Sequence, residues 1–371
     1  SCRNKMYPEM YDVLVLVVAS AFGLCVGSFL NVCIYRLPRE GLSIGKPRRS
    51  FCPSCKEKIF WADNIPVLSW LLLRGRCRSC RSSISIRYPL VELLTGALCA
   101  LVTWKFHLQL GGELTSCIFL LVLFCSLLVA AFIDAELRIL PDEITIGGMH
   151  LIPVAMLIFQ DLRFAPRDGL SERLLAGISK WLPTWTPSTA SVVAILSLVG
   201  LFFFAAGCWV YRGYRRWRLP EESDGFFSLS LAGLLCGLSA ALVAGVCVLP
   251  GFVESKAAYN LTSSLLGMLA GSGVIFIVGV VGTIVFRKPA MGFGDVKLMG
   301  LLGALSGCWG VITGFFLACM LGSLVGIPRR LLYGNRHLAF GPFLIVAGVF
   351  VYLWPNAVDF ALKWYMGLFA G

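Results

Sequence analysis

Ser116-Cys-Ile-Phe-Leu-Leu-Val-Leu-Phe-Cys-Ser-Leu-Leu-Val-Ala-Ala-Phe-Ile-Asp134 decides the fold. Two serines interrupt an otherwise apolar run, and the run ends on a carboxylate. A helix that crosses a bilayer needs about 20 predominantly apolar residues, and this stretch nearly supplies them. The rest of the chain has the same character. Of its 371 residues 58% are hydrophobic and 14% charged, with a mean hydropathy of +0.81, which no ordinary soluble domain approaches. An ionisable group at membrane depth costs at least a few kcal/mol, so Asp134 marks a candidate functional site by default.

Working outward, comparable apolar stretches cover residues 12–35, 88–105, 143–160, 188–210, 227–250, 262–286, 296–307, 309–327 and 338–355. The short one at 296–307 has an uncertain boundary with the next. The fold class expected is an all-α polytopic membrane protein of about ten transmembrane helices. The first span is too long for a cleaved signal peptide, is preceded by Glu9 and Asp12, and lacks a following small-residue cleavage site.

Orientation follows from Lys and Arg, which concentrate on the cytoplasmic side. Between the first two spans lie Arg36, Arg39, Lys46, Arg48, Arg49, Lys56, Lys58, Arg74, Arg76, Arg78, Arg81 and Arg87, against only Glu40, Glu57 and Asp63. Alternating the spans puts Tyr211-Arg-Gly-Tyr-Arg-Arg-Trp-Arg218, Arg287-Lys288 and Arg329-Arg330 on that same side. The loop at 161–187, with charges of both signs, fits least well. The net charge of +12 therefore reads as membrane orientation and contact with anionic lipid. No groove-reading motif or aromatic-basic platform supports nucleic-acid binding.

A second acid, Asp295, stands in Gly292-Phe-Gly-Asp295, after the apolar stretch 262–286. The topology puts Asp134 and Asp295 near the cytoplasmic ends of their helices, where they can meet. Two carboxylates brought together share one proton, which is the apparatus of an aspartyl protease. Gly292 and Gly294 permit an irregular backbone beside the acid, open to water or to a peptide strand. Around the first acid, Pro141 suits a helix start, and Asp142 and Glu143 suit its N-terminal dipole. Asp142 thus has a structural explanation that Asp134 lacks. Glu136 is the alternative acid, expected outside the membrane end.

Cys52-Pro-Ser-Cys55 and Cys77-Arg-Ser-Cys80 form two C-x-x-C pairs. Such pairs present four thiolates to one tetrahedral zinc ion, closing the site to water and making it structural rather than catalytic. A disulfide is the rival, but the expected cytoplasmic side is reducing. Residues 37–87 are too few for a large core and would lean on the metal to fold. The remaining cysteines lie mostly within apolar spans, as small buried hydrophobes. His107, His150 and His337 are scattered and show no ligand spacing.

Together these residues resemble the bacterial type IV prepilin peptidases, the leader peptidase/N-methyltransferases. The resemblance rests on the Gly-x-Gly-Asp motif at 292–295, on Asp134 ahead of Leu140-Pro-Asp142, and on Gly27-Ser-Phe-Leu-Asn-Val-Cys-Ile-Tyr-Arg-Leu-Pro38. The four-cysteine module adds Asp63-Asn-Ile-Pro66, Leu68-Ser-Trp70 and Arg87-Tyr-Pro-Leu-Val-Glu92, and Phe340-Gly-Pro-Phe-Leu344 adds a late segment. The resemblance implies cleavage of the leader of a type IV prepilin or type II secretion pseudopilin, at the cytoplasmic face of the bacterial inner membrane. It further implies methylation of the new N-terminal residue with S-adenosylmethionine. Family members usually have eight spans; here residues 161–261 form an insertion that adds two and leaves the later orientation unchanged.

The domain organisation expected is an N-terminal segment and first helix at 1–36, a cytoplasmic zinc module and methyltransferase region at 37–87, helices carrying Asp134 at 88–160, the insertion at 161–261, and helices carrying the Gly-Phe-Gly-Asp motif at 262–371. No glycine-rich nucleotide fingerprint marks the methyl-transfer site, and its residues stay unassigned. Three alternatives remain: a peptidase without methyltransferase activity, a non-enzymatic membrane assembly protein, and a transporter with Asp134 and Asp295 in an ion or proton path. The last leaves the cysteine module unexplained.

Overall fold

The computed structural model describes residues 3–39, 44–45, 50–52, 54–159, 161–162, 256–287, 292–334 and 338–356. Among these, eight α-helices follow in order: α1 Arg3–Arg36, α2 Leu68–Leu72, α3 Arg87–Val102, α4 Leu114–Leu137, α5 Asp142–Ile158, α6 Lys256–Phe286, α7 Phe293–Tyr333 and α8 Gly341–Leu353. A wide π-helical turn, Thr103–Gln109, extends α3. Among the described residues, five helical segments are long and apolar enough to cross a membrane: Met10–Arg36, Arg87–Gln109, Leu114–Leu137, Tyr259–Val285 and Phe293–Leu332. The protein is therefore an α-helical, multi-pass membrane protein. The stretches expected at 188–210 and 227–250 lie outside the described residues, as does His337.

The uncertain boundary near residue 307 has a physical basis. The stretches 296–307 and 309–327 are two helical runs, together labelled α7, that meet at a kink at Gly307, whose φ of 75° and ψ of −179° are not helical, so the boundary expected there holds. Only glycine takes that backbone readily. Apolar composition is the same on both sides of the kink, which is why hydropathy left its exact position open. The expected start of the helix after Asp134 holds: α5 begins directly after Pro141, with Asp142 and Glu143 in its first turn.

The chain divides into two compact units, Ser1–Ile144 with Ala318–Val349, and Thr145–Leu317 with Phe350–Gly371. In the first, α1 packs closely on α3 through small residues. A Cβ on Gly23 would lie 2.8 Å from Cβ of Cys99, and one on Gly27 would lie 2.6 Å from Cα of Glu92. Leu30, Cys33, Ile34, Val91, Cys125, Val129 and Ile133 then bury a common core between α1, α3 and α4. His107 at the end of this helix set bonds the Gly112 carbonyl at 3.1 Å, a structural role.

In the second unit a seam of small residues joins α6 to α7. Gly267 and Gly271 lie one turn apart on α6, against backbone atoms of Gly303, Gly307 and Met299. Ser264 donates its hydroxyl to the Ala304 carbonyl at 2.7 Å. Lipid gives helices little hydrophobic reason to associate, so close backbone approach and such hydrogen bonds hold them together. His150 bonds the Ile146 carbonyl within α5, and Tyr352 donates to the Leu162 carbonyl.

Candidate active site

Asp134 sits in the last turn of α4 and is 6% exposed. The helix ends there because Arg138 adopts the left-handed conformation, φ 58° and ψ 38°, and returns its N–H to the Asp134 carbonyl at 2.8 Å. The carboxylate itself accepts the backbone N–H of Gly341 at Oδ2, 3.1 Å away. Gly341 opens α8 within the same compact unit. Its lack of a side chain is what allows the approach: a Cβ there would stand 2.6 Å from Asp134 Oδ2. Reasoning from side-chain chemistry had no means of finding Gly341; the signal was the glycine-proline pair Gly341-Pro342 directly before an apolar run.

The alternative acid is otherwise engaged. Glu136 receives Nη1 of Arg87 on both carboxylate oxygens, at 2.6 and 2.7 Å, and ties α4 to the start of α3. It is also the more exposed, with 40% of its side chain accessible. Asp134 is buried, whereas Glu136 is ion-paired and half-exposed.

Asp295 lies in the first turn of α7 and is half-buried. Its N–H reaches the Gly292 carbonyl at 3.2 Å, so Gly292 supplies the acceptor for a tight turn at the helix start. Gly292 stands beside the carboxylate, 3.6 Å from Oδ2 to where its Cβ would be. Lys297, one turn along, places its ammonium 5.2 Å from the Phe293 ring centre. Gly294 lies within this first turn, between ring and acid. Asp134 and Asp295 belong to different compact units.

The four cysteines are brought together. All are free thiols, and the Sγ atoms of Cys52, Cys55, Cys77 and Cys80 lie within 4.8 Å of one another. Cys52 Sγ and Cys80 Sγ are 3.9 Å apart. Zinc–sulfur bonds of about 2.3 Å in a tetrahedron put sulfurs about 3.8 Å apart, whereas a disulfide needs about 2 Å. The arrangement fits a metal ion held by four sulfurs.

The two knuckles repeat one another. The N–H of Cys52 bonds the Glu57 carbonyl at 2.9 Å, and that of Cys77 bonds the Ser82 carbonyl at 2.8 Å. Lys56 returns its N–H to Cys52, and Arg81 to Cys77, both from positive φ, 62° and 58°. Bridges Phe51–Lys58 and Arg76–Ser83 close each loop. The common Cys-x-Ser-Cys spelling was the sequence signal for this repetition. Backbone N–H groups, that of Cys55 first, hold the Cys52 thiol down at about 6, and the Ser82 hydroxyl lowers Cys80. Cys55 is pushed up to about 11: the Glu57 N–H opposes the shift, but burial and the neighbouring thiols prevail. An ion pair of Arg78 with Asp63, 2.8 and 2.5 Å, braces the second knuckle and holds the Asp63 carboxyl below its ordinary range.

Comparison with known proteins bears on both regions. A model of the bacterial peptidase A24 N-terminal domain matches residues 21–106, and a model of the type IV leader peptidase family matches residues 227–327. The Type 4 prepilin-like proteins leader peptide-processing enzyme of Escherichia coli is 34% identical over 222 residues, covering 54% of this chain and 79% of that protein. The chain belongs to the type IV leader peptidase family. It is thus an enzyme of the prepilin leader peptidase/N-methyltransferase group, the name its relatives carry. The one from Neisseria gonorrhoeae is 29% identical over 374 residues, 94% of each chain. Another, from Klebsiella pneumoniae, is 40% identical over 172 residues, 44% of this chain and 69% of its own. The first family match contains the four cysteines and the second contains Asp295; Asp134 and Gly341 lie outside both. No solved structure matches the chain.

Proposed function

We propose that this protein is an intramembrane aspartyl endopeptidase that removes the leader of type IV prepilins or type II secretion pseudopilins, and then N-methylates the new N-terminus. One observation carries the reading: in a member of the leader peptidase family, a carboxylate at the end of a membrane helix is buried and fixed by a backbone N–H contributed from residue 341. Family membership and relatives named prepilin leader peptidase/N-methyltransferase support the substrate and both activities.

Asp134 and Asp295 act as the catalytic pair. One, ionised, takes a proton from water as the water oxygen attacks the scissile carbonyl carbon. The other, protonated, hydrogen-bonds the carbonyl oxygen and then delivers a proton to the departing amine as the C–N bond breaks. The pair titrates as a unit, so the two roles belong to the dyad. Gly292 and Gly294 give the substrate strand access to Asp295, and Gly341 keeps the Asp134 carboxylate in one orientation. The substrate enters as a helix from the bilayer with its leader in the cytoplasm.

Cys52, Cys55, Cys77 and Cys80 hold structural zinc, which staples the cytoplasmic module at 37–87. S-adenosylmethionine supplies an electrophilic sulfonium methyl group to the amine, and the module is the region assigned to that step. The chain sits in the bacterial inner membrane with about ten spans, the active site near the cytoplasmic face. The divisions at 1–36, 37–87, 88–160, 161–261 and 262–371 follow from this topology, with 161–261 inserted. Incubating the purified protein with a prepilin and S-adenosylmethionine and weighing the product tests the proposal. Leader loss plus one methyl group is the expected mass change; an unchanged prepilin refutes it.

A further inference from the structure

The short helix α2 has no buried residue, yet it is almost wholly apolar: Leu68-Ser-Trp-Leu-Leu72. Leu68 is 49% exposed, Leu71 58% and Leu72 74%. At spacings of three and four residues these leucines share one helix face. In water such a face has no reason to persist, least of all on a five-residue helix.

Its depth explains it. The N–H of Val67, immediately before α2, donates to Oε2 of Glu92 at 2.7 Å. Glu92 is a buried residue of α3, five positions past Arg87, where the helical segment apolar enough to cross a membrane begins. At about 1.5 Å per residue it lies roughly 7 Å below that entry point. On the other side it packs against Gly27, which is roughly 13 Å inside the end of α1 at Arg36 by the same rise. A helical side chain leans back toward its own N-terminus, so Val67 is level with the first turns of α3 rather than above them. The tie is firm enough to hold Val67 at φ 61°, a conformation that a β-branched residue rarely adopts.

At that level α3 itself presents apolar side chains outward. Leu90 and Leu94 on α3, with Ile86 just before it, form an exposed stripe, 45%, 41% and 70% accessible. Trp70 lies between the leucines of α2, its indole N–H bonded to the Ile84 carbonyl at 3.1 Å, a residue type enriched at membrane interfaces. Directly after α2, Arg74, Arg76 and Arg81 are exposed and cationic, matching anionic headgroups. We propose that α2 is an interfacial helix, seated with Leu68, Leu71 and Leu72 in the acyl boundary of the leaflet that α3 enters, and held there by Glu92. The four-cysteine module is then anchored on the membrane surface rather than suspended in solvent. This stands independently of the peptidase reading.

The test uses the full chain in nanodiscs of phosphatidylethanolamine and phosphatidylglycerol, photolabelled with an acyl-phase diazirine and mapped by mass spectrometry. Residues 68–72 should label within about twofold of residues 90–94, and at least about fivefold above residues 54–58, as expected for a face buried in the acyl boundary. Glu92→Ala should reduce labelling of 68–72, and Glu92→Gln, which can still accept the Val67 N–H, should preserve it. Labelled 90–94 beside unlabelled 68–72 in the unmodified protein overturns the proposal, whether water or another protein surface covers the face. Aqueous hydroxyl-radical modification of Leu71 and Leu72 would overturn it equally.

Discussion

The backbone N–H of Gly341 donates to the carboxylate of Asp134 at 3.1 Å, joining residues 207 positions apart in the chain. A Cβ at residue 341 would come within 2.6 Å of the same oxygen. Gly341→Ala should therefore swing the acid out of place while leaving the charge available. Misplacement by about 1 Å can cost a factor of about 100 in rate. Prepilin cleavage should drop by about that factor in a variant that inserts and extracts normally; a rate within twofold of the unmodified enzyme would show that this contact does not position the acid.

Glu136 provides the contrasting case. Its two bonds to Arg87 join α3 and α4, and 40% of its side chain is accessible. Glu136→Gln should keep cleavage within a few-fold and cost no more than about 1 kcal/mol of stability. Loss of cleavage to the level of Asp134→Asn would promote Glu136 to the catalytic pair.

Metal retention should depend on pH with a definite sign. The Ser82 hydroxyl, 3.0 Å from Cys80 Sγ, lowers that thiol below its ordinary value. Thiolates bind metal and thiols do not, so protons displace zinc as the pH falls. Removing the hydroxyl with Ser82→Ala raises the thiol, and zinc should leave at a less acidic pH. Metal analysis across an acid titration reads this directly, starting from about one zinc per chain. An unchanged or more acidic release point would contradict it, as would a Cys52–Cys55 or Cys77–Cys80 disulfide in thiol-trapped protein.

The seam between α6 and α7 should be intolerant of bulk. Carbonyl and Cα atoms of Gly267, Gly303 and Gly307 occupy the space a side chain would need. Gly303→Leu should destabilise the protein by about 1–3 kcal/mol through overpacking. Thermal unfolding in detergent measures it; an unshifted midpoint would mean that the helices separate without cost.

Much of this was legible beforehand because bilayer physics is written in composition. The apolar length of 116–133, the acid that closes it, the start of α5 after Pro141 and the four-cysteine cluster all follow from local sequence. The Glu136–Arg87 pair and the Gly341–Asp134 bond were not legible, because each joins segments distant in sequence; Gly341-Pro342 marks a helix start but not the partner it meets. The break at Gly307 was legible: it lies at the boundary between two expected spans, although apolar composition left its position open to a residue or two. The fold-back of the two knuckles was spelled in Cys-x-Ser-Cys, yet its hydrogen bonds come from backbone groups that any sequence carries.

The central claim is that Asp134 and Asp295 together cleave, and that methyl transfer is a separate reaction. Asp134→Asn and Asp295→Asn keep side-chain shape but cannot exchange the proton, so each should lower cleavage by at least about 100-fold. The measurement is mass spectrometry of two substrates, intact prepilin and pre-cleaved pilin, each incubated with either variant and S-adenosylmethionine. The account predicts uncut prepilin and normally methylated pre-cleaved pilin from both variants. Efficient cleavage by either variant, or failure of a folded variant to methylate the pre-cleaved chain, would contradict it.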